Sequence, residues 1–388
     1  MGARRGVWAV FRESIVRIAC KPIYWVGIFF LPLFTFLMLT SLMEEGLPVK
    51  VPAGIVDHDG TSLSRNISQS LGSMQLVDLV ATPTSFTEAR HSMQKGEIYG
   101  FFMIPENFQS DLLSGKSPEI TFYTNMTYFV PGSLLFKTFK ATAVYAKAGV
   151  ALKVLDNVGV SNAPTSLLQP VNISGRGIGN PWLNYGVYLC NSFIPATLQL
   201  MIMLMTCYSL GEEMKYKTSR RLLWLANGSA YKAVFGKLLP QTLIWIVIAL
   251  FMQVWLFKFN HYPMHGSWGW MTLSQVLFVL ASQGFALFFF TIVPNLRLSL
   301  SVCALLGVLS FSLAAFSFPY ESMYPAMGIF SWILPVRYNF LIYIDQALNG
   351  REIFYSRVWF AVYIVFIVLP IFTVWRLRKE FAKPVYVP

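Results

Sequence analysis

The run YGVYLCNSFIPATLQLMIMLMTCYSL, residues 185–210, contains no Asp, Glu, Lys or Arg. A helix rises about 1.5 Å per residue, so about 20 such residues cross the roughly 30 Å hydrocarbon core of a bilayer. A single charge at the centre of such a helix costs about 3 kcal/mol on insertion scales. The run therefore predicts a membrane-spanning helix.

Five further charge-free runs of similar length lie along the chain. With the first, they predict spans at residues 23–43, 185–210, 238–257, 271–293, 298–320 and 358–375. The composition agrees, because 55% of the residues are hydrophobic and only 12% are charged, against roughly 25% charged in soluble domains. The sequence therefore predicts an integral membrane α-helical protein with six transmembrane helices.

Lys and Arg concentrate in the loops on one side of these spans. Of the 30 basic residues, 16 lie in the N-terminal segment, in residues 211–237, at Arg297 and in the tail 376–388. The positive-inside rule then places both termini in the cytoplasm. Because this positive charge adjoins apolar spans, it predicts contact with membrane lipid and no nucleic-acid partner. The opposite short loops hold only Lys258, Arg337, Arg351 and Arg357.

Residues 44–184 differ from the rest of the chain, since polar residues, Gly and Pro return. Apolar runs predict strands at 52–57, 76–80, 99–104 and 119–123, and helical spacing appears between them. Ser85 with Glu88 three residues later is typical of a capping box. This alternation predicts a small α/β domain, inserted between helices 1 and 2 on the extracytoplasmic side, with a long helix near residues 128–158.

Three segments carry a resemblance to a known family. They are AGIVDHDGTSLSRNI (residues 53–67), GEEMKYKTSRRLLWLANGSAYKAVFGKLL (residues 211–239) and FPYESMYPAMGIFSWILPVRYNF (residues 318–340). In their order and topology they resemble the ABC type-2 export permease family over nearly the whole chain. One departure is that Lys217 takes the place of Gly in the family's usual Glu-Lys-Gly-Thr pattern.

The resemblance implies a permease subunit that exports a drug, a lipid or another hydrophobic compound across the bacterial inner membrane. It implies a cytoplasmic ABC ATPase as partner, with ATP and Mg bound there, and a second permease subunit, identical or not. The large external domain suggests a Gram-negative envelope and a periplasmic adaptor. The sequence itself contains no G-x-x-x-x-G-K-[ST] motif for cradling phosphates, so we expect this chain to bind no nucleotide or other cofactor and to have no catalytic residues.

Residues 211–237 form the predicted ATPase-coupling loop. Its acidic pair follows the second span, and its arginine pair precedes an apolar run. Such an amphipathic segment suits a groove on a soluble partner; the alternative is a basic loop that only sets topology and touches headgroups. The resemblance favours coupling. The candidate coupling residues are Glu212, Glu213, Arg220, Arg221, Leu222 and Leu223.

Two further segments are predicted to lie along or within the membrane. Residues 1–22 carry apolar side chains at helical spacing, which predicts an amphipathic interfacial helix. Residues 321–357 are too apolar for an ordinary loop and predict a re-entrant hairpin that gates the outer end of the route, or an interfacial loop anchored by aromatic residues. The candidate gate residues are Pro319, Pro325, Trp332 and Pro335.

Polar residues inside the spans have two interpretations. Asn191 and Gln199 are candidates for the substrate pathway, but such side chains equally bond between helices. The four His residues are scattered, so no metal site is predicted. A rival function from another class is a membrane-anchored envelope assembly or signalling protein whose external domain binds a ligand or partner. A secondary transporter is a third alternative, but it usually shows repeats and ionisable residues within the membrane.

Overall fold

The computed structural model describes residues 5–44, 46–114, 116, 118–157, 180 and 184–384, with backbone alone for residues 113 and 145–157. These residues form two compact units. One lies within Met1–Gly46 and Gly177–Pro388, and the other within Leu47–Arg176. Residues 158–179 and 181–183 of the predicted external segment lie outside the described residues.

The first unit is a helical bundle. Among the described residues, six helices are long and apolar enough to cross a bilayer. They are Pro22–Leu42 (span 1), Tyr185–Lys215 (span 2), Ala230–Phe259 (span 3), Trp268–Ile292 (span 4), Leu296–Leu313 (span 5) and Ile353–Ala382 (span 6). Each overlaps one of the six charge-free runs, and the predicted fold class, six spans with an inserted α/β domain, is confirmed.

Several spans change helix type along their length. Wider π turns occur at Trp25–Phe30 in span 1 and at Trp255–Phe259 in span 3. Span 6 tightens into 3₁₀ turns at Leu369–Phe372 and Val374–Arg376. Pro370 lies at the start of the first of these turns, because proline has no N–H for the α-helical bond and its ring displaces the preceding carbonyl.

The predicted loop 211–237 is mostly helical. Span 2 continues to Lys215, a short connecting helix covers Ser219–Leu225, and span 3 already begins at Ala230. The extension of span 2 follows from the good helix formers after Gly211. Lys217 then has a left-handed backbone with a φ of 56°. Glycine adopts this conformation at the least steric cost, which accounts for the Gly that is usual at this place in the family that the chain resembles.

Two short helices lie between spans 5 and 6. Span 5 ends at Leu313, earlier than predicted, and Ala315 has a φ of 65°. The helices Pro325–Ser331 and Pro335–Leu348 follow, bent by 81° to each other, and are called the bent pair below. Each begins with proline, whose fixed φ suits the first helical position and whose missing N–H is not needed there.

The second unit contains a four-stranded sheet in the order β2-β1-β3-β4. The strands are β1 (Val51–Asp57), β2 (Val77–Ala81), β3 (Gly100–Ile104) and β4 (Thr121–Thr124). Strand β1 pairs in parallel with β2 and β3, while β4 is antiparallel to β3. The helices are Ser62–Gly72, Phe86–Lys95, Phe108–Leu113 and Phe129–Asn157.

Alternation along β1 divides the core of this unit between the two faces of the sheet. Ile55 belongs to a cluster with Ile67 and Phe139, whereas Val56 packs with Ala89 on the other face. The predicted cap at Ser85 forms, because its hydroxyl accepts a hydrogen bond from the Glu88 N–H at 3.3 Å. The Glu88 carboxylate, however, returns to the N–H of Thr84 and not to that of Ser85.

Candidate functional site

The N-terminal helix, Val7–Cys20, packs against the start of span 3. Gly236 permits this approach, since a Cβ there would lie 2.8 Å from the Val7 carbonyl oxygen and 2.9 Å from Val10 Cβ. Val10 and Ile18 are buried, while Trp8 is exposed. This amphipathic helix therefore joins the bundle through its apolar face and brings Arg17 and Lys21 to the end of span 2.

Five charged side chains meet there, and we call them the ion cluster. Arg17 contacts Glu212 at 2.9 Å and Glu213 at 2.6 Å. Lys21 contacts Glu212 at 3.0 Å, and Lys237 of span 3 contacts Glu213 at 2.5 Å. The cluster thus connects the N-terminal helix, span 2 and span 3 through two carboxylates.

The centre of the ion cluster is out of contact with solvent. Glu212, Glu213 and Lys237 are 0%, 1% and 2% exposed. Pairing offsets the cost of such burial, because an isolated ion loses its hydration. Burial alone lowers the pKa of Arg17, but the carboxylates of Glu213 and Glu212 outweigh it and the net pKa is raised. Arg17 therefore remains a cation at any working pH.

A polar rim surrounds the ion cluster. The Thr218 hydroxyl donates to the Glu213 carboxylate, which ties the turn after span 2 to the cluster. Glu13 lies 3.5 Å from Arg17 and 3.6 Å from Arg221. These outer pairs are partly exposed, so each contributes little compared with the buried contacts.

The remaining predicted coupling residues lie on the connecting helix. Leu222 is buried and Leu223 is partly buried against the bundle core, so these two side chains pack within this chain and are not free to enter a groove on a partner. Arg220 donates from Nε to the carbonyl oxygen of Ala382 at 2.9 Å. Ser219 donates to the carbonyl oxygen of Phe381. The connecting helix is thereby attached to the end of span 6.

The surface beside the connecting helix is aromatic and basic. Trp224 is 48% exposed, and the Arg5 guanidinium lies 3.9 Å from its ring centroid. Tyr216 is also exposed and carries the ammonium groups of Lys21 and Lys215 over its ring. Aromatic residues with arginine are the typical anchors of protein interfaces. This surface is the part of the predicted coupling segment that a partner could reach.

Sequence reasoning assigned Arg17, Lys21 and Lys237 to membrane topology and missed their place in the ion cluster. One signal was present. Arg17 and Lys21 are four residues apart, so they share one face of a helix, and that face requires a partner if it is buried. Glu212 and Glu213 directly after a long apolar run are the obvious partners. No local pattern pointed to Lys237.

The candidate gate residues occupy the bent pair and the turn before it. Pro325 and Pro335 open its two helices, and Pro319 precedes a 3₁₀ turn at Tyr320–Ser322. Trp332 lies at the bend, with its ring centroid 5.5 Å from that of Tyr320. The structure thus collects these residues around one sharp turn.

The two candidate pathway residues differ in their surroundings. Gln199 donates to Ser310 Oγ at 3.0 Å and accepts from the Val336 N–H at 2.7 Å, so it joins span 2 to span 5 and to the bent pair. Asn191 lines a small cavity with Gln253, whose amide N and O are buried without a hydrogen-bond partner. The volume of the cavity that the centre of a water molecule can occupy is about 20 Å³. This is enough for about one ordered water. Gln199 is therefore a packing residue, and Asn191 faces the cavity.

No group of three or more His, Cys, Asp or Glu able to hold a metal ion occurs among the residues the structure describes. A sequence profile described as ABC-2 family transporter protein matches residues 22–374. No curated protein matches the chain. The matched range contains all the cluster residues except Arg17 and Lys21 and covers well over half of the sequence.

Proposed function

Because the chain belongs to the ABC-2 family of transporter proteins, we propose that it is the permease subunit of an ATP-driven exporter in the bacterial inner membrane. The proposed substrate is a drug, a lipid or another hydrophobic compound. A separate ABC ATPase binds ATP and Mg on the cytoplasmic side, and a second permease completes the pathway. The absence of a P-loop motif from this sequence supports an ATPase on another chain.

The ion cluster is the observation that carries this proposal. Helices move as units when the contacts between them are rigid and discrete, since packed interiors do not deform continuously. Glu212 and Glu213 hold Arg17, Lys21 and Lys237 within 3.0 Å. A push on the adjoining surface therefore moves the N-terminal helix, span 2 and span 3 together.

The place for that push is the surface around Trp224 and Tyr216. The short connecting helix leads directly from span 2 into span 3, and Ser219 and Arg220 attach it to the end of span 6. A partner ATPase that docks on Trp224 thus acts on three spans at once. The excess of Lys and Arg in this region supports a cytoplasmic location.

Co-expression and co-purification with the ABC ATPases of the same genome test the proposal. The Trp224→Ala/Arg221→Glu variant removes the exposed ring and reverses the adjacent charge, so we expect it to lose most of the bound ATPase. Arg90→Glu is the matched control, because Arg90 is an exposed cation of the α/β unit, and it should retain the ATPase. The failure of all of these ATPases to co-purify with the wild-type chain would reject the proposal.

A further inference from the structure

Arg337 is a buried cation that forms no salt bridge with the residues the structure describes, and the carboxylate of Glu321 acts on its charge only from a greater distance. It is 5% exposed, and its Nε and Nη1 atoms are buried with no hydrogen-bond acceptor. Among the described residues, no carboxylate oxygen lies within 4.0 Å of its guanidinium. The other buried cation, Lys237, touches Glu213, and the nearby Arg351 touches Asp345 at 3.2 Å. Arg337 is therefore the exception to the pairing seen elsewhere.

Aromatic rings provide its immediate surroundings. The guanidinium carbon lies 4.4 Å from the ring centroid of Trp332 and 5.0 Å from that of Tyr320. The Tyr338 hydroxyl donates to the Trp332 carbonyl oxygen at 2.6 Å, which fixes the bend beside Arg337. Aromatic faces attract the charge of a guanidinium, but they accept none of its in-plane N–H bonds. Those donors still require oxygen acceptors.

The surface around this site is apolar and suits a lipid environment. Four exposed apolar or aromatic side chains lie on the first helix of the bent pair or directly beside it: Tyr324, Ile329, Phe330 and Ile333. Trp and Tyr beside such a surface are typical of the headgroup level of a membrane. The covering ring of Trp332 is itself 38% exposed, and side chains at a surface change rotamer within nanoseconds. An anion from the headgroup layer can therefore reach the guanidinium.

We propose that Arg337 binds the phosphate group of an anionic lipid headgroup, while Tyr320 and Trp332 stack on its guanidinium. Arginine suits this ligand because its planar fork of donors matches phosphate oxygens. The bound phosphate supplies the acceptors that Nε and Nη1 lack. The site needs no ATPase and no substrate, so it stands or falls independently of the proposed transport function.

Thermal unfolding of the purified full-length chain in a neutral detergent tests the proposal. The melting temperature is measured with added phosphatidylglycerol, with phosphatidylcholine and with inorganic phosphate. We expect phosphatidylglycerol to raise the Tm of the wild type in a saturable way, and phosphatidylcholine to raise it less. Arg337→Gln should lose at least half of the phosphatidylglycerol shift. Arg357→Gln should keep it, because Arg357 is an exposed arginine stacked on Phe354.

A second comparison separates a ligand site from a structural arginine. Without added lipid, Arg337→Gln should be at least as stable as the wild type, because it removes a buried charge that forms no salt bridge among the described residues. If Arg337→Gln does not fold, Arg337→Lys replaces it and should also lose at least half of the shift, because an ammonium group has no planar fork of donors to match phosphate oxygens. An equal Tm rise with inorganic phosphate would support the same anion site with a soluble ligand. A full phosphatidylglycerol shift in Arg337→Gln, or none in the wild type, would overturn the proposal.

Discussion

Neutralising Glu213 is the sharpest perturbation of the ion cluster. Glu213→Gln keeps the shape of the side chain but removes its charge, so no cavity forms. Lys237, 2% exposed, then loses the carboxylate that lies 2.5 Å from its Nζ. Arg17 loses its 2.6 Å contact with Glu213 but keeps Glu212. Removing one partner of a buried ion pair costs about 3–5 kcal/mol, because the other charge remains buried.

The matched control is Glu13→Gln. Glu13 has a partly exposed side chain and lies 3.5 Å from Arg17, so its loss should cost about 0–1 kcal/mol. The free energy of unfolding is measured by denaturant titration in detergent micelles. The double variant Glu213→Gln/Lys237→Gln removes both charges and should recover at least about 2 kcal/mol of the single-variant loss.

The reasoning would be refuted by either of two results. In the first, Glu213→Gln costs no more than Glu13→Gln, which would mean that the cluster is hydrated or that its charges do not depend on one another. In the second, the double variant loses as much as the sum of the two single variants, which would mean that Glu213 and Lys237 do not interact.

Three other predictions concern the membrane unit. Gln199→Leu should destabilise the bundle by about 1–3 kcal/mol, because it leaves Ser310 and the Val336 N–H without their partner. Gln253→Leu should be neutral or stabilising, because the buried Gln253 amide has no hydrogen-bond partner to lose. Unfolding titrations in which Gln253→Leu is the more destabilising variant would contradict this. The exposed Cys20 should react with a membrane-impermeant maleimide in inside-out vesicles but not in right-side-out ones, and the opposite result would invert the topology. Lys217→Gly should raise the free energy of unfolding by about 1 kcal/mol. Lys215→Gly, at the last residue of a helix, should lower it by less than about 1 kcal/mol, which is the cost of glycine in a helix interior. The same change in both variants would refute the role of backbone strain.

The spans, the family and the α/β unit were predictable because each rests on a local pattern. A charge-free run of 20 residues has few alternatives to a spanning helix, and the family prediction is confirmed by the profile match. Alternating strands and helices in residues 51–124 likewise follow from nearest-neighbour periodicity. The helix of span 2 continues to Lys215, past the predicted end of the span at residue 210, and Leu296 packs against it at Gly211.

The ion cluster was not predictable, because its members are distant in sequence. Arg17 meets Glu212 across 195 positions, and Lys237 meets Glu213 across 24. Periodicity reports which face of a helix is apolar, not which helix covers it. For the same reason, Arg337 was counted only as one of the few basic residues in an outer loop. Its burial depends on the bend between the two helices of the bent pair.

ATP turnover of the assembled complex in lipid nanodiscs tests most directly whether the ion cluster passes partner motion to the spans. The wild-type chain should change the turnover of the co-purified ATPase relative to the ATPase alone. The Glu213→Gln/Lys237→Gln chain, which is expected to fold and to keep the Trp224 surface, should bind the ATPase yet return its turnover to the unbound value. Turnover that is identical with the wild-type and the double-variant chain would contradict the account.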